Sequence, residues 1–337
     1  MIPVVDGHND SLLRIWRRGG TLRERGDGHL DVPRMREGGI ALAFFAAFVP
    51  ARDDEPDDPR ELIVPTSDGY ELPQEKALPL DRATRIAGEL FAVAERDLEI
   101  ARTLDDLVLD GDPTAILHLE GAEPIDPRPE NLGEWFDRGV RSVGIVWSRP
   151  NAFGHGVPFR YPGTPDSGPG LTDAGRALVR ACNELGILVD LAHATERTFF
   201  DVADVTDAPL VVSHAGVYAR SPVPRNVTDA QLDAIRDSGG LVGVIFDSVM
   251  TRADGALRFD TPLATIADHV EYAAERIGVE HVALGSDFDG CVPCEALSDA
   301  SKTQAILDEL RTRGWSEPGL RALANGNWLR VLRATWR

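Results

Sequence analysis

The sequence predicts an α/β fold of the (β/α)8 barrel type, formed as a single domain over residues 1–337. Eight short runs rich in Val, Ile, Leu and Phe alternate with amphipathic segments. The runs are continuous rather than alternating, which is typical of parallel strands buried on both faces. The length of 337 residues also lies in the usual range for such barrels. A doubly wound open sheet is the alternative, because periodicity alone does not reveal closure.

The strands are predicted from the apolar runs in chain order. They cover residues 3–5, 40–49, 115–119, 142–147, 187–191, 210–212, 241–246 and 281–284. Between them lie helical patterns such as 171–186, which has Thr172 as a candidate N-cap and Gly186 as its stop signal. Segments 228–240 and 262–278 repeat this pattern, so the chain alternates strand with helix.

One segment does not fit the alternation. Residues 50–82 are rich in proline and acidic residues and follow the second predicted strand. Loops of this length within a compact domain are usually functional or disordered. We therefore predict a loop insertion that covers the barrel mouth or forms a contact surface.

Composition excludes several classes of partner. The formal charge is −20 and the isoelectric point about 4.8, which argues against binding to nucleic acid or to an anionic membrane surface. The longest apolar run, residues 40–49, is too short to span a bilayer, and no signal-peptide pattern is visible, so we expect a cytoplasmic location.

The three cysteines, Cys182, Cys291 and Cys294, give no disulfide framework, and the C-x-x-C formed by the last two lacks the second pair of a structural zinc site.

Polar residues with metal-binding chemistry follow five of the predicted strands. Barrel enzymes place their active sites at these carboxyl ends. His8 and Asp10 are two residues apart and therefore point to one side of a strand. Such a convergent cluster is hard to sustain without a cation, because desolvation and repulsion oppose it. The residues, in strand order, are His8, Asp10, Glu120, His193, His214 and Asp287.

Five of these groups are too many for one catalytic zinc and fit two metal ions that share a carboxylate. We expect His8 and Asp10 to hold one ion, His193 and His214 to hold the other, and Glu120 to bridge them. Two zinc ions about 3.5–4 Å apart activate water for hydrolysis. Asp287 is then left to transfer the proton, with a sixth ligand or a loop cap as the alternatives.

Several other polar residues receive supporting or structural predictions. His118 faces the same way as Glu120 and is assigned to the core or to a supporting contact. Asp6 is taken to be in phase with His8 and so to orient a ligand, and Asp289 is assigned to a loop. Three histidines away from the strand ends are assigned to the surface or core: His29, His269 and His281.

Six short motifs, "DGHND", "HLEGAE", "DLAHAT", "VVSHAG", "RNVTD" and "GSDFDG", occur in one order across residues 6–290. In this respect the chain resembles the membrane (renal-type) dipeptidases, peptidase family M19, among the amidohydrolase-like barrels. The resemblance implies a binuclear zinc dipeptidase of the membrane dipeptidase class, with the metal ligands and proton-shuttling aspartate assigned above. Family members often accept a C-terminal D-residue, some open β-lactams, and a homodimer is the family habit.

The resemblance also assigns substrate-binding residues. Arg225 of "RNVTD" matches an arginine that holds the substrate's C-terminal carboxylate, which suits its planar charged fork. Trp147 stands where the family usually has a histidine that contacts the scissile carbonyl. Asp247 stands where a tyrosine is common, and an acid there would repel a carboxylate. His155, eight residues past Trp147 and flanked by glycines, is predicted to fold back and replace the missing imidazole.

Two alternative functions remain open. Trp147 and Asp247 could favour another amide, a lactam or a lactone over a dipeptide. Alternatively, loss of the strand-four histidine could leave a non-catalytic protein that binds metal or peptide. The presence of every expected ligand and of Asp287 argues against this second alternative.

Overall fold

The computed structural model describes residues 1–52 and 62–337. Eight parallel strands form a closed barrel surrounded by helices, which confirms the predicted (β/α)8 fold. The strands are β1 (Val4–Asn9), β2 (Ile40–Phe48), β3 (Thr114–Glu120), β4 (Val140–Gly144), β5 (Leu188–Asp190), β6 (Val211–Ala215), β7 (Leu241–Val244) and β8 (Val282–Leu284). Strand β1 pairs with both β2 and β8, and β2 pairs with β3, so the sheet closes and the open-sheet alternative is wrong.

Helices occupy the connections between the strands. In chain order they are α1 (Ser11–Arg18), α2 (Val32–Gly38), α3 (Leu80–Asp97), α4 (Leu132–Arg138), α5 (Asp173–Leu185), α6 (Glu196–Ala203), α7 (Asp229–Asp237), α8 (Leu263–Ile277), α9 (Gln304–Thr312), α10 (Glu317–Arg321) and α11 (Asn327–Thr335). Helix α5 begins where predicted, with the Thr172 hydroxyl accepting a hydrogen bond from the Gly175 amide, and ends at Gly186 with a φ of 73°. Among the helices described, none is long and apolar enough to cross a membrane.

Apolar side chains pack against both faces of the barrel, as the continuous runs predicted. One cluster lies between the strands and the outer helices, and a second lies inside the barrel near the amino ends of the strands. Helix α11 closes this lower end. Its Trp328 is fully buried, lies 4.7 Å from the Phe44 ring between centroids and donates a hydrogen bond from Nε1 to the Leu284 carbonyl. A Cβ at Gly7 would lie 2.4 Å from the Trp328 ring, so only glycine fits above this floor.

The predicted insertion is partly ordered into secondary structure. Residues 53–61 lie outside the described part of the chain. Beyond them, Val64–Pro65 and Tyr70–Glu71 pair with each other, and Tyr70–Glu71 pairs with Arg160–Tyr161, to form a small antiparallel sheet. Gln74 donates a hydrogen bond of 2.9 Å to the Gly156 carbonyl in the loop after β4. The segment therefore packs at the carboxyl end of the barrel, and it is shorter than predicted because residues 80–82 belong to α3.

The three cysteines are free thiols. Cys182 is buried on α5. Cys291 and Cys294 lie in the loop that follows β8, and Cys294 is buried.

Candidate metal centre

The structure brings the six predicted strand-end residues together at the carboxyl end of the barrel. Glu120 lies at the centre of the group. Its Oε1 is 3.0 Å from His193 Nε2 and 3.9 Å from His214 Nε2, whereas its Oε2 is 3.6 Å from His8 Nε2. Each carboxylate oxygen thus faces a different set of histidines, which is the arrangement that a bridging ligand requires.

The other half of the centre is acidic. His8 Nε2 lies 3.4 Å from Asp10 Oδ2 and 3.9 Å from Asp287 Oδ1. In the described part of the chain, two groups of three residues bring ligand atoms within 4.8 Å of one another: His8, Glu120 and His214, and His8, Asp10 and Asp287. Asp287 therefore lies among the candidate metal ligands, and two of its three predicted roles, proton transfer and metal ligation, are compatible with this placement.

Hydroxyl groups orient two of the histidines. Ser148 Oγ lies 2.8 Å from His193 Nδ1, and Ser213 Oγ lies 2.8 Å from His214 Nδ1. Asp190 in turn accepts a hydrogen bond of 2.6 Å from Ser213 Oγ. These contacts leave the two Nε2 atoms facing each other at 3.2 Å, directed toward the same space. Such outer contacts fix the ring orientation of metal-binding histidines.

Sequence reasoning did not identify Ser148, Asp190 or Ser213 as functional residues. Ser213 directly precedes His214, and Asp190 stands three residues before His193, so both lie inside the quoted motifs. Serine is common near strand ends, and only the folded contacts distinguish these hydroxyls from others.

The two predicted supporting residues differ in outcome. His118 lies below the centre, with Nδ1 2.9 Å from Ser142 Oγ and its ring 5.4 Å from that of His8, as expected of a supporting residue. Asp6 instead accepts hydrogen bonds from the amide and hydroxyl of Ser286 and makes none with the His8 ring. From Asp6 to Asn9, β1 advances three residues while β2 advances two, so a bulge breaks the assumed phase with His8.

The remaining polar residues occupy the structural places predicted for them. Asp289 accepts hydrogen bonds from Ser11 Oγ at 2.6 Å and from the His29 amide at 2.7 Å, so it braces the loop after β8. His269 is buried in the core and accepts a hydrogen bond from the Val217 amide. His281 Nδ1 lies 2.8 Å from the Gly240 carbonyl.

The donor set fits a metal ion. His8 Nε2 and Asp10 Oδ1 are buried, and neither atom has a hydrogen-bond partner among the described residues. A buried polar atom without a partner costs free energy, and a cation at this place would supply that partner. Imidazole nitrogens and carboxylate oxygens are the ligands that zinc and its neighbouring divalent metals accept.

Burial perturbs the protonation of the centre. It raises the pKa of Asp10 to about 6 and lowers that of His193 to about 3, in the second case together with the nearby Arg225 charge. Burial also raises the pKa of Asp287 well above its ordinary value. His8 is the exception, because Glu120 and Asp10 overcome burial and hold its pKa well above the usual range. Asp10 and Asp287 would therefore require positive charge beside them to be ionised at neutral pH.

Arg225 lies beside the centre, as the resemblance implied. It is buried and donates one hydrogen bond of 3.1 Å from Nη2 to the His214 carbonyl, while its Nε has no hydrogen-bond partner among the described residues. Asp247 lies within electrostatic range of this guanidinium, and burial raises the pKa of Asp247 to about 6. Asp247 also accepts a hydrogen bond of 2.8 Å from the Val249 amide, which caps the loop after β7.

Trp147 lies next to a predicted metal ligand. Its ring centroid is 5.7 Å from that of His193 and 4.8 Å from that of Phe48. The predicted strand 142–147 was too long, because β4 ends at Gly144 and Trp147 belongs to the loop beyond it.

His155 is partly buried in the loop after β4, beside the segment that follows β5, where Gly156 forms a bridge with Ala194. Its carbonyl accepts hydrogen bonds from the Thr195 amide and the Thr198 hydroxyl, both at 3.1 Å. Its Nδ1 is buried and has no hydrogen-bond partner among the described residues. Replacement of the missing imidazole by His155 remains a prediction.

Comparison with known proteins identifies relatives over the whole chain. The family model described as membrane dipeptidase (peptidase family M19) matches residues 1–336. A crystal structure of a metallopeptidase from Rhodobacter sphaeroides, liganded with a phosphinate mimic of the dipeptide L-Ala-D-Ala, superposes with a TM-score of 0.93. It is 40% identical, and the match covers 99% of both chains.

Curated sequences give the same relationship. An uncharacterised protein encoded in the pqqA 5′ region of Klebsiella pneumoniae is 43% identical over 239 residues, which cover 71% of this chain and 87% of the relative. The dipeptidase aclJ of Aspergillus oryzae is 30% identical over 341 residues, which cover 98% of this chain and 78% of the relative.

Proposed function

The chain belongs to the membrane dipeptidase family, peptidase family M19, a family of metallopeptidases, and from this premise we propose that it hydrolyses dipeptides with two zinc ions. The observation that carries the proposal is the placement of Glu120, whose two carboxylate oxygens face different histidines. A carboxylate shared in this way is expected between two ions and not around one.

The ligand set divides into two halves in this proposal. His8 and Asp10 would hold one ion, His193 and His214 would hold the other, and Glu120 would contribute to both. When bound, the ions supply Lewis-acid polarisation of the scissile carbonyl and a water activated at neutral pH. The hydroxyls of Ser148 and Ser213 keep both histidine rings directed toward that space.

Two further residues act on the substrate itself. Arg225 binds the C-terminal carboxylate. Its buried guanidinium is charged, and its Nε–H has no acceptor among the described residues. Asp287 takes the proton from the attacking water and passes it to the departing amine. Its raised pKa suits a group that must hold a proton between these two transfers.

The proposed substrates are dipeptides with a D-residue at the C-terminal position. Support comes from the Rhodobacter sphaeroides relative, which is 40% identical and is liganded with a mimic of L-Ala-D-Ala. We further propose a single domain over residues 1–337 and a cytoplasmic location, both as predicted from the sequence, and a homodimer, as the family resemblance implies.

A second candidate reaction is hydrolysis of another amide, a lactam or a lactone. Asp247 favours it, because its buried carboxyl lies within electrostatic range of Arg225 and competes with a substrate carboxylate for that guanidinium. The presence of Trp147 at the position where the resemblance expects a histidine points the same way.

A substrate panel on zinc-loaded protein separates these reactions. The panel contains L-Ala-D-Ala, L-Ala-L-Ala, a β-lactam and simple lactones. We expect hydrolysis of the dipeptides, with the D-residue at the C-terminal position preferred. Turnover of lactones alone would reject the peptidase assignment, and two bound ions without any hydrolysis would favour the non-catalytic alternative.

A further inference from the structure

We propose that Phe48, Trp147 and Phe159 form a subsite for the side chain of the substrate's N-terminal residue and that this subsite selects large apolar side chains. The inference rests on the proposed dipeptidase function. It assigns a specificity role to Trp147, which the family pattern leaves without one.

The three rings form a continuous aromatic wall beside the candidate metal centre. Trp147 lies 4.8 Å from Phe48 and 5.5 Å from Phe159, measured between ring centroids. Trp147 and Phe159 lie 5.7 Å and 6.0 Å from the ring of His193. All three aromatic residues are only partly buried, so apolar ring surface is open at the barrel mouth. Exposed apolar surface next to a polar centre is typical of a ligand site.

The order of the strands sets the direction of the substrate. Arg225 follows β6 and contacts the His214 carbonyl, so the C-terminal carboxylate is bound on the β6 side. Phe48 ends β2 and Trp147 follows β4. These two strands flank β3, which carries Glu120, and β5 separates β4 from β6. A dipeptide that binds Arg225 and places its scissile bond at Glu120 therefore extends its N-terminal residue toward the aromatic wall.

A buried arginine fixes this wall in place. Arg149 is fully buried and donates from Nε to Glu123 at 2.7 Å and from Nη1 to Glu75 at 2.8 Å. Its third contact is a hydrogen bond of 2.8 Å from Nη2 to the Val49 carbonyl, next to Phe48. These contacts connect the ends of β2 and β3 with the insertion.

The same guanidinium also supports the rings directly. The Arg149 Cζ lies 5.1 Å from the Trp147 ring centroid and 5.4 Å from that of Phe48, within the range of a cation–π interaction. A planar group held on three sides does not rearrange when a ligand enters. Arg149 is thus a positioning residue, and the wall is pre-organised before a substrate binds.

The chemistry of the wall determines its preference. Three aromatic rings without a carboxylate or amide among them stabilise an apolar side chain, and the indole N–H of Trp147 is the single hydrogen-bonding group that these rings carry. Added apolar groups in such a pocket are worth roughly 10 to 200-fold in kcat/KM. We therefore expect kcat/KM for L-Leu-D-Ala to exceed that for Gly-D-Ala by at least about 10-fold.

The test compares two dipeptide series on zinc-loaded full-length protein. The first varies the N-terminal residue before D-Ala (Gly, Ala, Leu, Phe), and the second varies the C-terminal D-residue after L-Ala. The variants are Trp147→Ala and Trp147→Phe, with Trp16→Ala on the outer helix α1 as the matched control. We expect Trp147→Ala to reduce the Leu/Gly ratio of the first series to about 2-fold or less, and Trp147→Phe to retain most of it. Trp16→Ala should leave the ratio unchanged.

The outcomes separate this inference from the function on which it rests. If the wild-type protein hydrolyses no dipeptide, the proposed function is wrong. If it hydrolyses dipeptides with a flat first series, or if Trp147→Ala keeps the ratio, the function stands and the subsite is overturned. Loss of selectivity in the second series instead of the first would contradict the substrate direction argued above.

Discussion

His193 and Asp287 have left-handed backbone conformations, with φ of 66° and 61°. Residues other than glycine rarely adopt these angles, although aspartate and histidine tolerate them better than most. Such strain persists where surrounding contacts enforce it, and it is concentrated at functional sites. Here it directs a predicted metal ligand and the predicted proton carrier from the ends of β5 and β8 into the centre.

Replacement of Asp287 tests its proposed role in proton transfer. We expect Asp287→Asn to lower kcat by roughly 10² to 10⁴-fold, since the amide cannot carry the proton although it keeps the size of the side chain. Asparagine also tolerates the left-handed backbone. The measurement is kcat for L-Ala-D-Ala together with the metal content. The control is Asp254→Asn, whose carboxyl is exposed and paired with Arg252. A variant with kcat within threefold of wild type would refute the assignment.

Asp247 gives a pH-dependent prediction for stability. Burial raises the pKa of this carboxyl from 3.8 to about 6 in the folded chain. Between pH 3.8 and about 6 the folded state therefore binds more protons at Asp247 than the unfolded state does. The free energy of unfolding decreases as the pH rises through this range. Asp247→Asn removes this loss and retains an acceptor for the Val249 amide. We expect the free energy of unfolding of the variant, relative to that of wild type, to increase by about 2–3 kcal/mol as the pH is raised from 4 to 8.

Urea unfolding of the wild type and Asp247→Asn, both treated with chelator, at several pH values measures this difference. Asp260→Asn serves as a control because its carboxyl is exposed. A stability difference between Asp247→Asn and wild type that does not change with pH would contradict the buried carboxyl described for this position.

At the scale of elements, Arg149 links three connections of the barrel. It joins the end of β2, the loop after β3 and the insertion through Glu75. Removing one partner of a buried ion pair leaves an uncompensated charge, which typically costs about 3–5 kcal/mol. We expect Arg149→Met to lower the free energy of unfolding by this amount, because Glu123 remains buried.

A matched exposed pair provides the control for this prediction. Arg36 Nη2 donates a hydrogen bond of 2.7 Å to Asp112, and both side chains are more than half exposed. Arg36→Met should therefore change the free energy of unfolding by less than about 1 kcal/mol. Urea titrations of both variants give the comparison, and equal losses would show that the Arg149 contacts have no special weight.

The elements that could be predicted from sequence are those with strong local patterns. Buried parallel strands have continuous apolar runs, and helix α5 has a threonine cap and a glycine stop, so their existence followed from the chain. The pairing of Val64–Pro65, Tyr70–Glu71 and Arg160–Tyr161 could not be predicted, because two-residue strands have no periodicity and depend on distant partners. The bulge after Asp6 likewise depends on the register with β2.

The candidate centre divides in the same way. His8, Glu120 and His214 could be predicted because each follows an apolar run, and a barrel brings such ends together. The supporting hydroxyls of Ser148 and Ser213 could not, since their contacts depend on ring orientation in the folded chain. The position of His155 depends on a loop whose path the sequence does not specify.

At the scale of the whole molecule, the barrel has one closed and one open end. Helix α11 fills the lower end with Trp328, while the candidate centre and the aromatic wall lie at the carboxyl ends of the strands. A substrate therefore enters from the end that carries Arg225, Asp287 and the insertion. This organisation explains why six residues distant in sequence form one centre, and why the loops around it determine the substrate.

In the proposed reaction, Glu120 would contribute to two metal ions, and these would supply the chemistry for dipeptide hydrolysis. The most direct measurement is a zinc titration of chelator-treated protein while hydrolysis of L-Ala-D-Ala is followed. We predict that activity rises from the background level and reaches its plateau at two equivalents of zinc per chain. A plateau at one equivalent, or no hydrolysis at any zinc loading, would contradict this proposal.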